Sequence, residues 1–133
     1  MSANYIAFRV PGTDMHMTVC YIHTLQPSER SELLQDMAQL ARAVVPLQVT
    51  MGKRDMFGEK KDIPVVHVDV PEKARIEMQA FYTKWCRPRP GRTERAVPTY
   101  HISLAPADTT ALKEGSTIEL VDLYVKEIER KAQ

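Results

Sequence analysis

Alternation along Met15–Ile22 puts Met17, Val19 and Tyr21 on one face of an extended chain and His16, Thr18 and Cys20 on the other. The first face reads as core and the second as a polar surface. Tyr5–Val10 is a shorter apolar run closed by Pro11-Gly12, a strand followed by a turn. The period then changes. Leu33, Met37, Leu40, Ala41 and Val44 recur at helical spacing after Pro27, which suits a first helical turn, and Pro46 stops the helix. Leu47–Met51 predicts a third strand. A polar loop holding Lys53, Arg54, Phe57-Gly58 and Lys60-Lys61 follows it. Pro64–Val70, rich in β-branched residues, predicts a fourth strand.

Pro71 opens a second helix with Ala74, Met78, Phe81 and Trp85 as its apolar stripe. The Arg/Pro-rich segment 87–98 cannot continue that helix. Tyr100–Ala105 predicts a fifth strand, and 116–128 a last strand or strand-like hairpin. The order is β-β-α-β-β-α-β-β, with one helix and one strand bearing His-x-Thr/Ser in each half. This predicts an α+β fold with a duplicated, pseudo-twofold architecture and a single domain over 1–133.

Composition adds exclusions. No apolar run is long enough to span a membrane, and no signal peptide is visible, so a cytoplasmic protein is expected. Two cysteines, Cys20 and Cys86, make neither a disulfide framework nor a zinc cluster, so no metal or other cofactor is expected. The net charge of +1 says little, but residues 84–95 carry five cations and one carboxylate. Such a local positive field attracts phosphates.

The chemistry rests on two residue pairs. Side chains at i and i+2 of a strand share a face, so His16 sits beside Thr18, and His101 beside Ser103. Two imidazoles can act as acid and base near neutral pH, and two hydroxyls can donate to non-bridging phosphate oxygens. That set suits cleavage of a phosphodiester. One His-x-Thr is weak evidence; two copies in matching strands are far more specific. His16-Met17-Thr18-Val19 and His101-Ile102-Ser103-Leu104 resemble the paired motifs of the 2H phosphoesterase superfamily. Phe57-Gly58 followed by Ile63–Val66 resembles its Phe-Gly turn and following strand. The resemblance covers roughly Tyr5 to Val125. Tyr100 stands where that family usually has proline, and Ser103 where it more often has threonine; serine keeps the donor.

The resemblance implies two antiparallel sheet lobes, each backed by a helix, with a central groove. It also implies metal-independent cleavage of nucleotide phosphodiesters. The substrates would be 2′,3′-cyclic phosphate ends of RNA, or the cyclic oligonucleotide signals of bacterial antiphage defence that some phage-encoded relatives destroy. The catalytic set would be His16, Thr18, His101 and Ser103. Substrate-binding candidates are Tyr5 and Tyr124 as base-stacking aromatics, and Arg87, Arg89, Arg92 and Arg95 as a phosphate-closing arm. No membrane and no obligatory protein partner is expected. A catalytically silent RNA- or nucleotide-binding module of the same fold is the alternative, although such a module has no chemical need for all four polar residues. His67 faces either the groove or solvent and reads as structural or peripheral, His23 as a surface residue out of phase with His16, and Phe57 as a tucked turn aromatic.

Overall fold

The computed structural model describes residues 2–58, 60–89, 91, 98–104 and 112–128. Its strands are β1 (Ser2–Arg9), β2 (His16–Leu25), β3 (Leu47–Phe57), β4 (Ile63–Asp69), β5 (His101–Ser103), β6 (Thr117–Leu120) and β7 (Leu123–Ile128), and its helices are α1 (Arg30–Val44) and α2 (Glu72–Trp85). All seven strands join one antiparallel sheet in the order β6-β3-β4-β5-β2-β1-β7. The helices touch each other and bury Leu33, Met37, Leu40, Met78, Phe81 and Trp85 in one cluster with Ile6, Phe8, Met17 and Ile102 of the sheet. The predicted α+β class and both apolar stripes are found. The two expected lobes are instead halves of one continuous sheet, joined through the three residues of β5.

The sheet is strongly curled. β6 and β7 lie at opposite borders, yet only residues 121 and 122 separate them. Three Cα steps reach about 11 Å at most. Six flat strand spacings amount to about 29 Å. The sheet therefore bends until its borders approach; the β1–β7 ladder runs on to Asp122, whose carbonyl accepts from the Arg9 N–H at 3.0 Å. The segment 116–128 is thus no hairpin: its two strands pair with different partners, β3 and β1.

Of three register shifts in the sheet, two bear on the residues around the motifs. Between Ile6↔Cys20 and Ala7↔Thr18 the β1–β2 register slips by one, which makes Val19 the extra residue of a bulge. Val19 and Cys20 are both buried in consequence. Tyr21 then moves to the face of His16, and Cys20 to the core, reversing the phase that strict alternation predicts. The second irregularity falls in β3 between Met51↔Val68 and Arg54↔Val66, at Gly52-Lys53. Here β3 continues through the segment expected to be a polar loop and ends only at Phe57. Gly58, at φ +99°, makes the turn.

Candidate active site

β2 and β5 are neighbours through the antiparallel pair Met17↔Ile102, and both of those side chains are wholly buried. Extending this register by one residue sets His16 opposite Ser103 and Thr18 opposite His101, all four on the face away from the core. The two histidines are then diagonal neighbours, with an expected separation of about 7–8 Å. Both rings are partly buried.

β1 and β7 extend this open face. Arg9 pairs with His16, Ala7 with Thr18 and Tyr5 with Tyr21; Tyr124 lies opposite Ala7, and Lys126 opposite Tyr5. The Tyr5 ring stacks on His16 with centroids 4.9 Å apart and 15° between planes. Tyr124 meets Tyr5 edge-on at 6.2 Å, and the Arg9 guanidinium lies 4.9 Å from the Tyr124 ring centre while binding Asp122 at 3.2 Å. Burial, with some help from Tyr5, pushes the Tyr124 hydroxyl up to about 12.

On the other side, His67 of β4 is the cross-strand partner of His101, and Val65 that of Ser103. The Phe57 ring stands edge-on to His101 at 4.8 Å and to His67 at 5.6 Å. His67 Nε2 lies 3.0 Å from Asp55 Oδ2. Phe57, His67 and Asp55 are thus components of this face that the sequence reading did not assign to it. Lys53-Arg54-Asp55-Met56-Phe57 shows no period-two alternation, so the sequence carries no strand signal for this part of β3.

Electrostatically, the two histidines are alike. Burial lowers the proton affinity of both. The backbone of Asp14 beside the His16 ring, and that of Thr99 beside the His101 ring, partly offset this. The Thr99 contact is loose, for His101 Nδ1 is buried without a well-formed hydrogen bond. Lys126 and Arg9 add to the lowering at His16, and His67 and His16 to that at His101. Tyr100, just before His101, packs into the core, where burial pushes its hydroxyl up to about 12.

The arginine arm divides. Arg87 is held away from the open face: its guanidinium donates to Glu29 Oε1 and Oε2 and to the Thr24 carbonyl, while its backbone bonds Tyr21 and His23 on the β2 edge. Arg89 is exposed, and its guanidinium lies 5.4 Å from the Tyr21 ring centre. Arg92 and Arg95 fall outside the described residues. His23, expected out of phase, follows Tyr21 by two on the same strand and so shares the face of His16. Among the described residues no group of three or more His, Cys, Asp or Glu is placed to hold a metal ion. No described helix is long and apolar enough to cross a membrane.

No protein-family model matches the chain, and no curated protein matches it in sequence. Its fold is similar to that of a solved crystal structure of a phosphoesterase. The TM-score is 0.53 at 11% sequence identity, over 98% of this chain and 98% of that one. At that identity the likeness is one of fold.

Proposed function

We propose that the open face is the active site of a metal-independent phosphodiesterase of the 2H type, with His16 and His101 as its acid and base. The observation that carries this reading is the Met17↔Ile102 pair, which makes the two motif strands neighbours with all four polar side chains on one face. A fold shared with a phosphoesterase supports it. So does the likeness of the two histidines, each with a hydroxyl residue two positions on and the backbone of the residue two positions back against its ring. That repetition is what a pseudo-twofold arrangement of the halves produces.

The pair has a property suited to acid–base work. Each imidazolium disfavours the other, so a single proton on the pair is favoured over two. A bound phosphodiester anion draws that proton in. The neutral imidazole takes a proton from water or from an adjacent ribose 2′-hydroxyl as its oxygen attacks phosphorus. The imidazolium gives its proton to the departing oxygen. Thr18 and Ser103 donate to the non-bridging oxygens, where negative charge must be stabilised. Water attack opens a 2′,3′-cyclic phosphate; 2′-hydroxyl attack cuts a 3′,5′ linkage and leaves a 2′,3′-cyclic end. Tyr5 and Tyr124 offer a stacking platform for a nucleobase beside His16. Together with the motif resemblance, such a platform supports RNA ends or cyclic oligonucleotides as the substrate class.

The test is a cleavage assay in excess EDTA on nucleoside 2′,3′-cyclic phosphates, RNA with a 2′,3′-cyclic phosphate end, and cyclic di- and trinucleotides. Wild-type turnover should survive the chelator. His16→Ala and His101→Ala should each lower it by about 10²–10⁴-fold. Absence of wild-type turnover on the whole panel sinks the enzyme reading and leaves a nucleotide-binding module.

A further inference from the structure

A third histidine adjoins the proposed pair. His67 is the direct cross-strand partner of His101 on the open face, a relation that places Cβ atoms about 4.5–5.5 Å apart. Its ring orientation is fixed from two sides. Asp55 accepts at Oδ2 from His67 Nε2 at 3.0 Å, and Asp55 Oδ1 is itself held by the Met56 N–H at 2.7 Å. An ionised carboxylate can only accept, so the His67 ring carries a proton on Nε2, toward Asp55. Asp55 is ionised at neutral pH, since the hydrogen bond from His67 holds its carboxyl below the usual range. Phe57 closes the other side, with its ring edge-on to both His67 and His101.

The backbone makes room for this arrangement. A side chain at Gly52, in the β3 bulge, would place its Cβ 3.3 Å from the His67 carbonyl oxygen and 3.5 Å from the His67 Cβ. Glycine there lets β3 pass close beside His67, and the register slip brings Asp55 within reach of a residue that does not face it directly.

We propose that His67, oriented by Asp55, is a positioning residue for His101: it sets the charge felt by that imidazole and so the pH range in which His101 exchanges its proton. This rests on the reading of His101 as acid or base. The groups that face His101 are His16 from β2, and His67 followed by Asp69 from β4; Asp55 of β3 acts through His67. Of these, His67 is the direct cross-strand partner. A second imidazolium there opposes protonation of His101, in line with the repulsion between the two rings. The charged neighbours of His16 are Arg9 and Lys126; those of His101 are the rings of His67 and His16.

The experiment is an imidazole NMR titration of the whole chain, with the His101 signal assigned by its loss in His101→Ala. Wild type is compared with His67→Gln and His67→Lys, and the pH profile of kcat/KM is recorded on the best substrate of the panel above. His67→Gln should raise the His101 midpoint, and the limb of the profile that belongs to His101 should rise with it. His67→Lys, which restores a positive charge beside Asp55, should return the midpoint to the wild-type value or below. An unmoved midpoint in His67→Gln overturns the proposal, as does an equal shift in both variants, which would mark a packing effect. A midpoint that moves as expected without turnover of any substrate leaves the coupling intact and removes the enzyme reading. Turnover that depends on both histidines, with an unmoved midpoint, does the reverse.

Discussion

Truncation of Ile102 tests whether the sheet is pinned where the two motif strands meet. Ile102 is wholly buried, paired with Met17 on one side and Val66 on the other, and those partners are wholly buried too. Its strand has three residues, and a single registered pair ties it to β2. Backbone held on both sides cannot collapse into the space that Ile102→Ala opens. The cost should therefore lie in the upper part of the usual range, about 3–5 kcal/mol, against about 0.5–1.5 kcal/mol for Ile102→Val. With a urea dependence of about 2 kcal/mol per molar, the midpoint of equilibrium unfolding should fall by about 1.5–2.5 M for alanine and by less than about 0.8 M for valine. The slope should be unchanged. Total stabilities of domains lie near 5–15 kcal/mol, so Ile102→Ala should remain measurable at low temperature. A midpoint shift below about 0.5 M for alanine would refute the reasoning, because it would show that this strand is not held rigidly between its neighbours.

Acidification should unfold the protein partly through the two histidines. Burial keeps the folded-state proton affinity of His16 and His101 below the ordinary value of 6.5. Between the two values the unfolded chain binds more protons, so this stability is present above pH 6.5 and is lost as pH falls through the folded value. Urea midpoints at pH 7.5 and 5.5 should differ less in a His16→Gln/His101→Gln double variant than in wild type; an equal loss in both would remove the histidines as the cause. The hydrogen bonds from Arg87 lower Glu29 to about 2, against an ordinary value of 4.5, so this contribution is present above pH 4.5 and is lost as pH falls toward 2. Arg87→Met should lower thermal stability at pH 7 and flatten its dependence between pH 5 and 2; an unchanged acid profile would show that the clasp adds nothing.

Much of this arrangement is legible from period alone. Met17 between His16 and Thr18, and Ile102 between His101 and Ser103, announce strands with one buried and one polar face. The stripes Leu33–Met37–Leu40–Val44 and Ala74–Met78–Phe81–Trp85 announce two helices with a common core. The misses have physical causes. A bulge inserts one residue without any sequence mark, and that is why Tyr21, Cys20 and His23 are placed on the wrong faces by strict alternation. At Gly52-Lys53 a second bulge lies inside a charged stretch, and it hides the strand that carries Asp55 and Phe57 toward His67. Arg87 shows a different limit: local charge density does not reveal that Glu29, far away in sequence, satisfies this guanidinium. Nor does composition show that β6 and β7 pair with different strands.

That last feature has a consequence for synthesis on the ribosome. Both motifs lie upstream of Thr117, so the nascent chain can assemble both halves of its site while the outer rims of β1 and β3 are still bare. Unpaired rims of this kind recruit other chains. One short stretch, Thr117–Ile128, covers both rims, and it leaves the exit tunnel after both motifs. Translation at about 5–20 residues per second leaves that hazard open for a few seconds. Its end is a single event, since the two residues between β6 and β7 are too few to let one rim be covered far from the other.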